Sequence, residues 1–294
     1  MAIDLHIHSS ASDGTVAPGE LPALAAAANL TAAALTDHDT VDGLDDFLAC
    51  QNRFPQVELI PGVELSSRIG AREIHIVGLY IDYHNSFLQD FLQQMRRSRI
   101  ERATLMQAKL RSLGYEITWD DLLAIGMSDS VPGRPHFAQV LVKKYNFPDH
   151  ATVFERLLKR NAPGYVPREL PPPEAAIAAI KKAGGIAVWA HLFSSRNNEN
   201  NFVRRTLPAL KNAGLDALEA YYSEYTPTQT ANALRIANEF SLQLSGGSDF
   251  HGTLHPDVQL GCGRGNLLVP DELLDPLHRL KEPKVVLMPR AENS

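Results

Sequence analysis

Short apolar runs punctuated by turn residues recur along the chain: Ile3 to Ile7, Ala32 to Leu35, Val57 to Ile60, Ile74 to Leu79, Ile186 to Ala190, Leu215 to Ala220 and Leu242 to Leu244. Runs of this length predict seven buried strands. Between most of them the apolar spacing changes to the helical period, as from Pro18 to Asn29 with its Ala-rich face and from Pro173 to Ala183, closed by Gly184-Gly185. Strand alternating with helix predicts a parallel sheet or barrel of the α/β class. The stretch from about Ser86 to Pro167 breaks this rhythm, with several helical segments and no convincing strand between Ile81 and Ile186. It predicts a helical insertion, 86–167, set into a barrel made of 1–85 and 168–294. Within it Thr118, ahead of Trp119-Asp120-Asp121, is placed to cap a helix, and Ala162-Pro163-Gly164-Tyr165-Val166-Pro167 reads as a return loop.

With 294 residues, 44% of them hydrophobic, the chain can bury a large core. A formal net charge of -6 argues against a surface that coats a polyanion, so stable duplex nucleic-acid binding is not expected. A small or single-stranded phosphate ester stays open as a partner. The two cysteines, Cys50 and Cys262, are too few for a disulfide framework and too far apart for a CxxC zinc site, which points to a reducing cytoplasm. The N-terminal Met1-Ala2-Ile3-Asp4-Leu5-His6 has neither the basic region nor the apolar stretch of a signal peptide. No segment approaches the roughly 20 apolar residues of a membrane-spanning helix, so no membrane partner is expected.

Candidate chemistry begins at the end of the first run. In His6-Ile7-His8 strand alternation puts both imidazoles on one face, and Asp13 follows in a Ser- and Gly-containing loop able to bend it back. Alone this pair is weak evidence. Ligand-type residues recur, however, at the other strands: Thr36-Asp37-His38-Asp39, Gly62-Val63-Glu64, His75 inside its run, Trp189-Ala190-His191, and Ser248-Asp249-Phe250-His251. The carboxyl ends of strands in a parallel barrel share one face, where active sites are built. His6, His8, Asp13, His38, Glu64, His75, His191, Asp249 and His251 exceed what one tetrahedral ion can use. Two or three divalent ions are therefore expected, manganese first, with zinc and iron as alternatives for a thiolate-free donor set. Such ions about 4 Å apart acidify a shared water and stabilise a phosphoryl transfer, which points to hydrolysis. Asp37 and Asp39 flank a ligand; they could orient imidazoles or cap the next helix.

Together, His6-Ile7-His8, Asp13, Thr36-Asp37-His38-Asp39, Gly62-Val63-Glu64, His75, His191 and Ser248-Asp249-Phe250-His251 resemble the polymerase and histidinol phosphatase (PHP) family over nearly the whole chain. The resemblance implies a distorted seven-stranded (β/α) barrel and, usually, a trinuclear metal site. It implies His6, His8, Glu64 and Asp249 on one ion, with Glu64 bridging to a second held by His75 and His191, and Asp13, His38 and His251 on a third. His191-Leu192 departs from the His-Pro of many members, which bears on loop geometry and leaves the ligand in place.

The insertion and its Pro132-Gly133-Arg134-Pro135-His136 segment resemble the subgroup of nucleoside 3',5'-bisphosphate phosphatases and short-RNA 5'-to-3' exoribonucleases. Arg134 offers a planar fork for a phosphate and His136 a second bond, against a solvated Arg and a capping His. Arg68, Ser194, Ser195 and Arg196 follow ligand-bearing strands and are further candidates for substrate contact, with an ordinary structural role the stronger reading of each. Tyr221 and Tyr222 could stack on a base or pack, and His255, close to His251, could touch substrate or a ligand; His84, His150 and His278 carry no such signal. The implied reaction is attack of a metal-bridging hydroxide on the 3'-phosphorus of a nucleoside 3',5'-bisphosphate, with short RNA ends cleaved by the same geometry. Asp249 is among its catalytic residues, and His191, His251 or metal-bound water would protonate the leaving oxygen. The alternatives are a histidinol-phosphate phosphatase, a non-catalytic PHP module serving a nucleic-acid enzyme and, further off, an amidohydrolase, whose carbamylated Lys no strand end supplies.

Overall fold

The computed structural model describes residues 2–125, 132–193 and 200–281. β1 (Ala2–Ile7), α1 (Leu21–Ala27), β2 (Leu30–Leu35), α2 (Leu44–Leu48), β3 (Glu58–Ile69) and β4 (Arg72–Leu79) form the first half of the barrel. The second half is α7 (Pro173–Lys182), β5 (Ile186–Trp189), α8 (Asn200–Asn212), β6 (Ala217–Tyr222), α9 (Pro227–Glu239), β7 (Gln243–Gly247) and α10 (Leu274–Lys281). Between them lie α3 (Ser86–Ser112), α4 (Trp119–Leu123), α5 (Arg134–Tyr145) and α6 (His150–Val153), the last running into a π-helical turn at Phe154–Leu158. The strands hydrogen-bond in chain order, β1 to β7. The row then comes round on itself: Ile7 bridges Phe250, and Asp249 N–H donates to His6 O at 2.9 Å. A distorted seven-stranded α/β barrel results, as the sequence predicts.

The parallel arrangement, however, does not hold throughout. β4 runs antiparallel to both β3 and β5. The reason is the link: β3 ends at Ile69 and β4 begins at Arg72, with Gly70 at φ +57, and so short a turn can only make a hairpin. The reversal matters for the site. β4 begins where its neighbours finish, so His75, early in β4 and paired with Ser66, stands at the mouth that the other strands reach with their carboxyl ends.

Both strand faces are buried, which is why the strands read as continuous apolar runs. Ile3, Leu5, Ala34, Ile60, Leu79 and Val188 belong to one cluster, and a second joins Leu35, Leu65 and Trp189 to Ile177 and Ile180 of α7. α3 to α6 have their own apolar cluster, including Met106, Leu110, Leu122, Phe137 and Leu158. Thr118 caps α4 in a reciprocal box with Asp121. The chain returns along the hairpin, where Arg68 N–H donates to Pro171 O at 2.9 Å. Among the described residues no helix is long and apolar enough to cross a membrane.

At the mouth β7 ends in Gly246-Gly247, and a Cβ on Gly247 would collide with the backbone and Cβ of His6. Backbone cannot step aside as a flexible side chain can, so Gly247→Ala is expected to destabilise the fold by about 1–3 kcal/mol. Urea unfolding of the metal-free protein checks this; an unchanged midpoint would mean that β1 and β7 separate there at no cost.

Candidate metal centre

All nine residues singled out in the sequence stand together at this mouth, around Glu64, which is 0% exposed. Glu64 Oε1 accepts from His75 Nδ1 at 2.8 Å and from His191 Nε2 at 2.9 Å. Glu64 Oε2 lies 3.4 Å from His6 Nε2, 3.3 Å from His8 Nε2 and 2.8 Å from His38 Nδ1. None of these last contacts is aligned as a hydrogen bond: His6 Nε2, both nitrogens of His8, His38 Nδ1 and Glu64 Oε2 are buried without a hydrogen-bond partner. Five orphaned ligand-type atoms in one buried cluster are costly unless cations collect them. Three convergent groups follow: His8, Asp13, His38 and His251; His6, His8 and Glu64; His38, Glu64 and His75. The first is the third-ion set that the family resemblance implies, with His8 added; Asp249 Oδ1 adjoins the second, 3.1 Å from His8 Nε2 and 3.6 Å from His6 Nε2. The donor set, imidazole and carboxylate without thiolate, fits divalent manganese, zinc or iron.

The electrostatics follow from crowding. Burial works against ionisation of Glu64 and Asp249, yet the surrounding imidazoles hold both carboxyls well below the usual range. Burial likewise disfavours charge on His75 and His251, but Glu64 outweighs it and takes His75 up to about 10, and Asp13 with Asp249 takes His251 up to about 9. For His8 the order is reversed: burial and the neighbouring His251 and His38 lower it below the ordinary value.

The flanking aspartates do not cap α2, whose N-cap is Gly43 without a side-chain bond. Asp37 instead ties down the loop carrying Asp13, accepting from Ser9 N at 2.8 Å, Ser9 Oγ at 2.6 Å and Ser12 Oγ at 2.5 Å. Asp39 accepts from Ser66 N at 2.8 Å and pairs with Arg99 Nη2 at 2.6 Å and Arg168 Nη2 at 2.5 Å. These two arginines, one on α3 and one on the return from the insertion, are absent from the sequence reading. So are Asp4, which accepts from Ser248 N and Gly261 N at 2.8 Å each and is pushed by burial up to about 6, and Glu219 on β6. A carboxylate inside an apolar run, the signal that marked His75, was available for both.

The segment that carries α3 to α6 brings a cationic cluster to the mouth. Arg134 opens α5, its guanidinium 5.9 Å from the Phe154 ring and 5.8 Å from that of Tyr165, with no ion-pair partner among the described residues. Burial and the charges of Arg134 and Arg168 press Arg102 down to about 10. His136 does cap its helix, Nδ1 accepting from Gly133 N–H at 2.9 Å, which leaves the proton on Nε2 as a donor. Its surroundings include Asp13 and Arg99, and burial lowers its pKa. Arg68 is the penultimate residue of β3, paired with Glu73 across the hairpin, so it lies within the strand and does not follow it. Tyr222 OH donates to Asp249 Oδ2 at 2.9 Å instead of facing a base, and burial with that carboxylate raises its pKa. Tyr221 is half-buried and packs against the core. His255 is exposed, its ring 5.5 Å from that of His251. Ser194, Ser195 and Arg196 lie outside the described residues.

Comparison with known proteins agrees with this geometry. The PHP domain model matches residues 4–165. The chain is 36% identical over 248 residues to a 5'-3' exoribonuclease of Haemophilus influenzae, covering 84% of this chain and 89% of the relative. It is 34% identical over 249 residues to a 3',5'-nucleoside bisphosphate phosphatase of Chromobacterium violaceum, covering 85% and 87%. A solved structure of a proposed metal-dependent phosphoesterase from Bifidobacterium adolescentis superposes with a TM-score of 0.81 at 28% identity, covering 96% of this chain and 97% of that one.

Proposed function

The chain belongs to the PHP domain family and is a hydrolase acting on phosphate esters, and from that premise we propose that it removes the 3'-phosphate of nucleoside 3',5'-bisphosphates and trims short RNA from its 5' end. The observation that carries this reading is the pairing of two anion sites: the carboxylate–imidazole cluster around Glu64, and beside it Arg99, Arg102, Arg134 and Arg168 with few carboxylates to balance them. A substrate with one reacting phosphate and one fixed phosphate satisfies both. Histidinol phosphate, a cationic amine, would meet repulsion at the second.

Two or three divalent ions, manganese first and zinc or iron otherwise, held by the nine residues would supply Lewis acidity that acidifies water and neutralises phosphate charge. The chain's own residues do the rest. Asp13, 49% exposed on its side chain and held by the Asp37-anchored loop, is the cluster member most open to an incoming phosphate. Arg134 and the Nε2–H of His136 grip the phosphate that does not react, fixing the scissile one against the cluster. His191 and His251 each turn Nε2 toward a carboxylate, at 2.9 Å from Glu64 and 3.3 Å from Asp13, so at that nitrogen each holds a metal or a proton but not both. Water is then the donor left for the departing 3'-oxygen. An RNA 5' end offers the same two phosphates, with the chain continuing from the scissile one.

Inorganic phosphate released from adenosine 3',5'-bisphosphate by manganese-loaded protein tests this, with 5'-AMP, histidinol phosphate and a short 5'-phosphorylated RNA assayed beside it. Release from the bisphosphate, none from 5'-AMP, and loss of turnover on chelation are expected. An inert bisphosphate would sink the reading, and turnover of histidinol phosphate alone would replace it.

A further inference from the structure

Among the described residues β6 is the one strand of the barrel that brings no residue of the candidate metal cluster to the mouth; β1, β3 and β4 contain His6, Glu64 and His75, and β2, β5 and β7 are followed within three residues by His38, His191 and Asp249. Its side chains nevertheless reach the cluster from behind. Glu219, 2% exposed, spends both carboxylate oxygens on it: Oε1 accepts from His6 Nδ1 at 2.8 Å, and Oε2 accepts from the backbone N–H of His191 at 2.6 Å. Three residues on, Tyr222 OH donates to Asp249 Oδ2 at 2.9 Å.

Residues three apart on a regular strand face opposite ways. Here the register against β7 shifts by one residue: Glu219 pairs with Ser245, but Tyr221 pairs with Gly246 and Tyr222 with Gly247. The extra residue turns Tyr222 onto the face that Glu219 occupies, the use of a bulge that re-aims a side chain toward a site. Each contact also leaves a defined atom facing inward. With Nδ1–H committed to Glu219, His6 presents Nε2, the atom 3.4 Å from Glu64 Oε2 and orphaned otherwise. With Oδ2 committed to Tyr222, Asp249 presents Oδ1, the atom that lies 3.1 Å from His8 Nε2. His191 sits at φ +33 and Asp249 at φ +57, conformations that non-glycine residues seldom keep unless the surroundings hold them. Each is held from β6, His191 through its backbone and Asp249 through its side chain.

We propose that β6 is the positioning strand of the metal centre: Glu219 selects the ligating nitrogen of His6 and the placement of His191, and Tyr222 restricts Asp249 to one ligating oxygen. The inference rests on the reading of the cluster as a metal site. Hydrogen-bonded supports of this kind, when removed, lower metal affinity by roughly 10–100-fold.

The test uses cobalt(II) as probe, because its visible absorption reports coordination geometry independently of turnover. Wild-type protein, Glu219→Gln and Tyr222→Phe are titrated with cobalt, and circular dichroism of each metal-free protein monitors the fold. Gln keeps the volume of Glu219 but cannot accept on both arms; Phe removes only the hydroxyl. The expected result is a roughly 10–100-fold weaker cobalt affinity for Glu219→Gln, and for Tyr222→Phe a changed absorption envelope at saturation as Asp249 becomes free to bind through both oxygens. A merely structural role would leave the saturated spectrum unchanged. Should Glu219→Gln fail to fold, the Tyr222→Phe spectrum decides. Wild-type affinity and spectra in the variants would overturn the proposal while leaving the metal site standing; a wild-type protein that takes up no cobalt would overturn the site itself, and the positioning role with it.

Discussion

Glu64→Gln is expected to lower kcat/KM on a nucleoside bisphosphate by at least about 10³-fold, on the order of 4 kcal/mol of barrier, and to strip most of the bound metal. Among the described residues Glu64 is the only acidic group that touches five of the imidazoles, His6, His8, His38, His75 and His191, and it belongs to two of the three convergent groups. Gln preserves its size, but it replaces a charge shared among those rings with an amide that carries a donor. Cations then lose the anion at the centre of the cluster, and the rings lose the reason to converge. Parallel measurement of phosphate release and metal content checks the expectation. Turnover and metal content both at wild-type level would remove Glu64 from the site and the arrangement built around it.

The reason so much of this centre is legible in the sequence is that its residues sit on strands with both faces buried. An apolar run that ends in His, Asp or Glu marks the point where a strand leaves the core, and His38, His191 and Asp249 all stand at such points. The same logic under-reads β3 and β4. Apolar runs mark only the part of each strand inside the core, whereas the hairpin continues through Ser66, Ser67, Arg68 and Glu73. Strand direction was present too, in the two residues between Ile69 and Arg72, but it is carried by the length of a link and not by hydrophobicity. Asp39 is the opposite case. Its partners Arg99 and Arg168 lie 60 and 129 residues away, on a helix and a return loop whose local patterns say nothing of the barrel. Only the packing of α3 and the return loop against the hairpin creates that contact, and with it the arginine group proposed to hold the second phosphate.

That second site gives the other large expectation. Arg134→Ala should raise KM for adenosine 3',5'-bisphosphate about 10–100-fold, the range of a charge-assisted hydrogen bond, while changing kcat/KM for adenosine 3'-monophosphate by less than about threefold. The asymmetry follows from where the residue sits. Arg99 and Arg168 already spend a guanidinium nitrogen on Asp39, and Arg102 donates Nε–H to Val166 O at 2.9 Å. Arg134 has no such commitment among the described residues and only the faces of Phe154 and Tyr165 to steady it. It is therefore the cation best placed to gain a partner when a second phosphate arrives, and the monophosphate has none to offer. Steady-state kinetics on the two substrates measure this directly; equal losses on both would place Arg134 at the reacting phosphate, and no loss on either would return it to the surface. Arg134→Lys refines the outcome. It keeps the charge but not the planar fork, so a loss close to that of Ala would show that two parallel hydrogen bonds, and not charge alone, fix the phosphate that stays.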